Sequence, residues 1–281
     1  MTTSSIRERE LRVAGIRTVL RESGPADDRE AVVFLHGSPG SSADWIGLLD
    51  SIGGKCRAVA WDAPGFGRAA KPSDFPHAVE GHAAFIGTAL DTLGIDHAHL
   101  VVHDFGGPWG LTWAAAHPER FASAVLIDTG VLFGYRWHAL ARIWRTPVLG
   151  ELFMATATRP TFRALLRRGN PRGLPREFMD RMYDDFDRRT RRAVLRLYRA
   201  TDAAAATGPL SAVLRPLRRP ALVIWGAHDP YLPVAQAEIQ RRTFPDAELV
   251  ILDESGHWPF MDAPEAVAAA VTKFVQHAAG H

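Results

Sequence analysis

Short apolar runs rich in Val, Ile and Leu alternate along the chain with longer stretches whose apolar positions recur at helical spacing. Two apolar stretches flank Gly15 between 11 and 20 and predict an opening hairpin. Ala31-Val32-Val33-Phe34-Leu35 predicts a buried strand, with further strands over 57–61, 99–102 and 124–127, each ended by polar or turn-forming residues. Apolar spacing over 82–93 predicts a helix stopped by Gly94, and Pro108 falls in the first turn of a helix running to 116. After a long interruption the alternation resumes with Ala221-Leu222-Val223-Ile224-Trp225, a helix over 234–242, a strand over 248–252 and a helix from 264 to 277. Strands separated by helices predict an α/β fold with a mostly parallel sheet covered on both faces.

The interruption spans 131–218 and contains no strand-like run bounded by turns. Phe178-Met182-Phe186 and Val194-Leu195-Tyr198 carry helical spacing, so the segment is expected to be an all-helical insertion. Its charge is unusual. Between 131 and 219 lie 19 Arg, no Lys and 7 Asp or Glu, a surplus of 12 positive charges in a chain whose net charge is +2. Such a surplus can steer an anionic ligand, and it also fits a solvated helical surface. No recognised nucleic-acid-binding motif accompanies the arginines, so a nucleic-acid partner is not expected.

At 281 residues and 47% hydrophobic, the chain is long enough to bury one large α/β core. The single cysteine, Cys56, excludes an intramolecular disulfide and a cysteine-based metal cluster. The N-terminus lacks the apolar segment of a secretory signal, and no apolar run approaches a bilayer-spanning length. These features set the expectation of a cytoplasmic protein without a membrane partner.

Candidate chemistry gathers where predicted strands end. In Leu100-Val101-Val102-His103-Asp104-Phe105-Gly106-Gly107 an apolar run stops at a polar pair and two glycines before a helix, the strand–sharp turn–helix pattern of a nucleophile elbow. The apex is a carboxylate rather than a hydroxyl. A carboxylate suits displacement at a saturated carbon, leaving an alkyl ester on the protein. Asp229 and His257 follow the next two predicted strand ends, giving the chain order nucleophile, acid, histidine. By residue type alone Asp104 also suits a helix N-cap, and Asp229, before Pro230, suits a turn. Asp128, at the end of the strand before the insertion, is the alternative acid.

Five motifs in order carry a resemblance over essentially the whole chain: His36-Gly37-Ser38-Pro39, Asp62-Ala63-Pro64-Gly65-Phe66-Gly67, the Asp104 elbow, Gly226-Ala227-His228-Asp229 and Ser255-Gly256-His257. The chain resembles α/β-hydrolase fold proteins with an Asp nucleophile, the epoxide hydrolases and haloalkane dehalogenases. The resemblance implies a core domain of 1–130 and 219–281 and a helical cap domain of 131–218. It further implies that Asp104 attacks carbon, that His257 activates the water that cleaves the ester, and that Asp229 orients the imidazole. The backbone N–H groups of Phe105 and Ser38 are the implied oxyanion donors. His36 and His103 are expected to be structural, and Asp62 to stabilise its turn. No metal or organic cofactor is called for.

The two enzyme classes differ in what receives the leaving atom. An epoxide oxygen leaves as an alkoxide and needs an acidic O–H, whereas a halide needs only weak donors such as indole N–H. Leu197-Tyr198-Arg199-Ala200 resembles the tyrosine motif near the end of the epoxide hydrolase cap; Tyr135 and Tyr183 qualify as a second tyrosine by location. Val102, two residues before the nucleophile, resembles some dehalogenases, but Phe105 has no side-chain N–H where those enzymes usually carry Trp. Phe105 also replaces the arginine of fluoroacetate dehalogenases. Trp137 or Trp144 could substitute as a halide donor. The expectation is hydrolysis of an epoxide to a diol, with haloalkane dehalogenation and a non-catalytic small-molecule-binding protein of the same fold as alternatives. The expected partner is a small apolar or aromatic molecule with a strained ether or carbon–halogen bond, held among Tyr198, Tyr135, Tyr183, Trp137, Trp109 and Trp258.

Overall fold

A computed structural model describes residues 6–52, 56–202 and 207–278; the short alanine run at 203–206 lies outside them. Its described residues form one sheet of eight strands: β1 (Arg7–Val13), β2 (Ile16–Ser23), β3 (Glu30–Leu35), β4 (Ala58–Trp61), β5 (His97–His103), β6 (Phe121–Ile127), β7 (Ala221–Gly226) and β8 (Glu248–Leu252), in the order β1-β2-β4-β3-β5-β6-β7-β8. The hairpin turns at Ala14-Gly15, and β2 joins β4 antiparallel; the other pairings are parallel. Every residue from Ala98 to His103 is buried, and successive strand residues face opposite ways, so both faces of β5 are covered.

Helix α1 (Ile46–Ile52) joins β3 to β4, α2 (Val79–Leu93) leads to β5, and α3 (Gly106–Ala116) joins β5 to β6. Gly94 closes α2 at φ +66°, where a side chain would be strained. The insertion between β6 and β7 comprises α4 (Ala139–Arg145), α5 (Leu149–Ala155), α6 (Arg159–Arg168), α7 (Arg176–Asp185), α8 (Arg188–Ala200) and α9 (Thr207–Leu214), with no strand among its described residues. In α8 the Asp187 carboxylate accepts the backbone N–H groups of Arg189 (2.7 Å) and Thr190 (2.8 Å), capping a helix whose Ala193, Val194, Leu197 and Tyr198 are buried. The final part contains α10 (Ala235–Ile239), α11 (Pro259–Asp262) and α12 (Pro264–Ala278). The helix expected over 234–242 is shorter: α10 tightens into a 3₁₀ turn at Gln240–Arg242. No described helix is long and apolar enough to cross a membrane.

The strand order fixes where a ligand can bind. After β3 the chain moves outward to β4, then returns to place β5 on the other side of β3. Loops leaving β3 and β5 therefore diverge, opening a crevice at their carboxyl ends. Ser38 follows β3 and Asp104 follows β5.

Candidate active site

Asp104 occupies the left-handed region at φ +49°, a conformation that costs a non-glycine residue about 1 kcal/mol. The bend is held from both sides. The Asp104 carbonyl accepts the Thr129 hydroxyl at 2.6 Å and the Gly107 N–H at 3.0 Å. A Cβ on Gly106 would lie 2.2 Å from the Leu35 carbonyl oxygen, and one on Gly107 would lie 2.0 Å from the Thr129 hydroxyl. The paired glycines are therefore what allows the helix to start so close to its neighbours.

The two oxygens of Asp104 differ. Oδ1 accepts the Ser38 N–H at 2.7 Å, and the Phe105 N–H also favours the ionised carboxylate. Oδ2 lies 3.7 Å from His257 Nε2, beyond hydrogen-bonding distance. One oxygen is thus held by a backbone donor while the other faces the imidazole. Burial raises the Asp104 carboxyl above its ordinary range, opposed by His257 and the two N–H groups.

His257 is fixed on three sides. Its Nδ1–H donates to Asp229 Oδ2 at 2.7 Å, its backbone N–H donates to the Gly169 carbonyl at 3.0 Å, and its carbonyl accepts His103 Nε2–H at 2.7 Å. Asp229 Oδ1 accepts the N–H groups of Tyr231 (2.7 Å) and Leu232 (3.0 Å), which leaves Oδ2 for the histidine. Burial alone would depress the imidazole's pKa, but Asp229, its hydrogen bond and Asp104 together raise it. Asp128 is fully buried, and Oδ1 accepts the Gly226 N–H at 3.0 Å. Oδ2 meets no donor among the described residues, and burial followed by the Asp229 charge pushes this carboxyl well above its ordinary range. Asp128 accordingly sits behind Asp229, and no described hydrogen bond joins it to His257.

The neighbouring residues expected to be structural behave as such. His36 donates from Nδ1 to the Gly37 carbonyl (2.8 Å) and accepts the Ala63 N–H at Nε2 (2.9 Å). Asp62 accepts the N–H groups of Ser42 and Arg68 and the Ser42 hydroxyl, tying its turn to the loop after β3.

Two lobes of one cavity meet above Asp104 and share His138, Tyr198 and Tyr231. The smaller, about 90 Å³, reaches toward Val131, Leu132 and Leu210 and includes Tyr135 and Trp137. The larger, about 470 Å³, runs between the insertion helices past Phe153, Phe162 and Leu166 to Trp258. Tyr198 is buried, its ring edge-on to Phe105 at 5.0 Å and to Trp144 at 4.8 Å. Burial and then the Asp104 charge push its hydroxyl well up; burial does the same at Tyr135 and lifts Tyr231 to about 12. All three phenols stay protonated at neutral pH and can donate.

Two expected lining residues lie elsewhere. Trp109 stacks on His82 at 4.1 Å and 14° beneath the elbow and lines neither lobe, because its place in the first turns of α3 points it into the core. Tyr183 packs under the Arg159 guanidinium at 4.8 Å, its hydroxyl directed at the Ala157 carbonyl, and also misses the cavity. Tyr231 and His138 were not anticipated. Tyr231 was findable, since it sits two residues after Asp229 and is carried by the same turn. His138 caps α4 by accepting the Ala141 N–H at 3.1 Å, and burial, then His257, lowers its pKa to about 4, so it is neutral.

A family model described as the alpha/beta hydrolase fold matches residues 30–264. Among curated proteins, cis-3-alkyl-4-alkyloxetan-2-one decarboxylase of Xanthomonas campestris is 26% identical over 93% of each chain. Haloalkane dehalogenase 2 of Mycobacterium tuberculosis is 29% identical over 85% of this chain and 86% of its own. Among solved structures, wild-type Cfl2 from Burkholderia cenocepacia superposes with a TM-score of 0.84 at 25% identity over 96% of both chains. Haloalkane dehalogenase DbeA from Bradyrhizobium elkani shares the fold at a TM-score of 0.85 and 24% identity, over 98% of this chain and 99% of its own.

Proposed function

We propose, from the premise that this chain belongs to the α/β-hydrolase fold family, that it is a carboxylate-nucleophile hydrolase opening an epoxide to a vicinal diol. The observation that carries the reading is the unequal state of the Asp104 oxygens beside protonated phenols. Oδ2 attacks a saturated ring carbon, the carbon–oxygen bond breaks, and the departing alkoxide takes a proton from Tyr198, with Tyr135 and Tyr231 alongside. Oδ1 becomes the ester carbonyl oxygen. His257 Nε2 then removes a proton from water as the water oxygen attacks the Asp104 carboxyl carbon; the Ser38 N–H, bonded to Oδ1, holds the charge that develops there, and the Phe105 N–H is the second candidate donor. Collapse releases the diol and restores the carboxylate, and the imidazolium proton returns to the phenolate through solvent. Asp229 stabilises the imidazolium throughout.

The two lobes support a substrate with a substituent on each side of the reacting bond, a short one and a longer apolar one. The Xanthomonas relative is named for a strained cyclic ester bearing alkyl groups on adjacent ring carbons, which is compatible with such a shape. Hydrolysis of a carbon–halogen bond by the same three residues is the second reading. The mycobacterial relative supports it, as does Trp137 in the smaller lobe, where an indole N–H could receive halide.

A single turnover in heavy-oxygen water tests the shared chemistry. The solvent oxygen must enter Asp104 and be missing from the first product; label in that product with none in Asp104 would sink the carboxylate nucleophile. Parallel assays for diol and for free halide separate the two leaving groups.

A further inference from the structure

The larger lobe contains one charged side chain that this chemistry does not use. Arg168 ends α6 and lines the lobe, whose walls are otherwise apolar or neutral apart from Asp104 and the imidazoles His138 and His257. Other arginines nearby are committed: Arg159 and Arg163 pair with Asp184 and Asp180, and Arg172 with Glu254. No carboxylate pairs with Arg168 among the described residues. It also lies beside the reacting centre. The next residue, Gly169, gives its carbonyl to the His257 N–H, and a Cβ there would come within 2.9 Å of the Trp258 ring and 3.2 Å of the Tyr231 ring. The Arg168 charge is felt at the Tyr231 hydroxyl, where it partly opposes the effect of burial and Asp229.

We infer that Arg168 binds a carboxylate on the substrate arm that occupies the larger lobe, so that the substrate is an apolar molecule with an anionic group rather than a neutral one. This rests on the reading of Asp104 as the nucleophile of this cavity. A guanidinium fork matches a carboxylate in two parallel hydrogen bonds, and a fork with no carboxylate partner among the described residues is free to make them. The surplus of 12 positive charges between 131 and 219 acts at longer range, raising the local concentration of anions around the cavity. The final turn of a helix also favours a cation for its dipole alone; that role requires no discrimination among substrates, which makes the two separable.

The test compares an internal epoxide carrying a terminal carboxylate on its longer arm with its methyl ester. Because Arg168 is exposed and its pair with the substrate is screened by water, the wild type should prefer the acid at low salt by about threefold to fivefold in kcat/KM, mainly through KM. Arg168→Gln should collapse the acid-to-ester ratio to about one, and high salt should erode the wild-type preference. Equal handling of acid and ester by the wild type, or an undiminished ratio in Arg168→Gln, overturns the inference. If neither compound is hydrolysed, the epoxide reading has failed rather than this one. Calorimetric binding of the same pair to Asp104→Asn then decides: acid binding lost with Arg168→Gln supports the carboxylate subsite, and equal binding of acid and ester removes it.

Discussion

Asp128 and Asp229 are two buried acids that both bond to Gly226, one through its N–H and one through its carbonyl, and only one of them reaches the histidine. The Gly226 N–H donates to Asp128 Oδ1 at 3.0 Å, while its carbonyl accepts the Asp229 N–H at 3.2 Å. Asp229 then turns Oδ2 onto His257 at 2.7 Å. Asparagine at 229 should therefore lower turnover by about 10⁴ by disturbing the imidazole tautomer. Asparagine at 128 keeps an acceptor for the Gly226 N–H, and Asp128 makes no described hydrogen bond to His257, so this variant should stay within about tenfold of wild type. Steady-state kcat for both variants checks this, and the reverse ranking would make Asp128 the working acid.

His257→Gln should leave alkylation intact and stop ester hydrolysis. Mixing the variant with an epoxide should give one equivalent of protein heavier by the whole mass of the substrate, localised by peptide mass spectrometry to Asp104. An unmodified protein after prolonged incubation with a compound the wild type turns over would contradict the covalent route.

The acidic limb of the hydrolytic step should report His257. Its pKa is raised above 6.5 by Asp229 and Asp104 against the effect of burial, so imidazolium accumulates and ester hydrolysis is lost as pH falls through that raised value. Esterification removes the Asp104 charge, one of the influences raising the pKa. Single-turnover ester hydrolysis should thus lose half its rate at a lower pH than the His257 titration of the free protein followed by NMR. A limb displaced to higher pH in the ester would contradict the assigned charges.

Tyr198→Phe should reduce epoxide turnover by 10² or more, roughly the contribution of a positioned general acid, while leaving any halide release within about threefold. Diol and halide assays on one variant preparation provide the comparison. Equal losses in both would point to packing against Phe105 and Trp144 as the main role of this ring.

Gly107→Ala should destabilise the fold by about 1–3 kcal/mol, because the added methyl overlaps the Thr129 hydroxyl that holds the Asp104 carbonyl. Denaturant unfolding measures the cost. Thr129→Ser, which removes the methyl also crowding that position but keeps the hydroxyl, should leave the Asp104 bend in place.

Much of this architecture was legible in the chain. β8 spans the expected 248–252, and Gly94 ends α2 as its left-handed conformation requires. The elbow at Asp104 was readable because a continuous apolar run ending in a polar apex and small residues is a local demand of a strand buried on both faces that turns sharply into a helix. The elements less easily read were those with weak local signals. The helical turn and α1 over 42–52 and the four-residue α11 carry little periodicity, and the split of α10 depends on a local tightening of backbone hydrogen bonds.

Sequence by itself determined the α/β alternation, the helical character of the insertion and the three polar strand ends, since each follows from backbone propensity and side-chain spacing. Tertiary structure decided what those residues face. It paired His257 with Asp229 rather than Asp128, sent Trp109 and Tyr183 away from the cavity, brought Tyr231 and His138 into it, and set Arg168 on its wall. Whether a side chain lines a cavity depends on crossing strands and helices far apart in the chain, and the spacing of residues along one element does not encode that meeting.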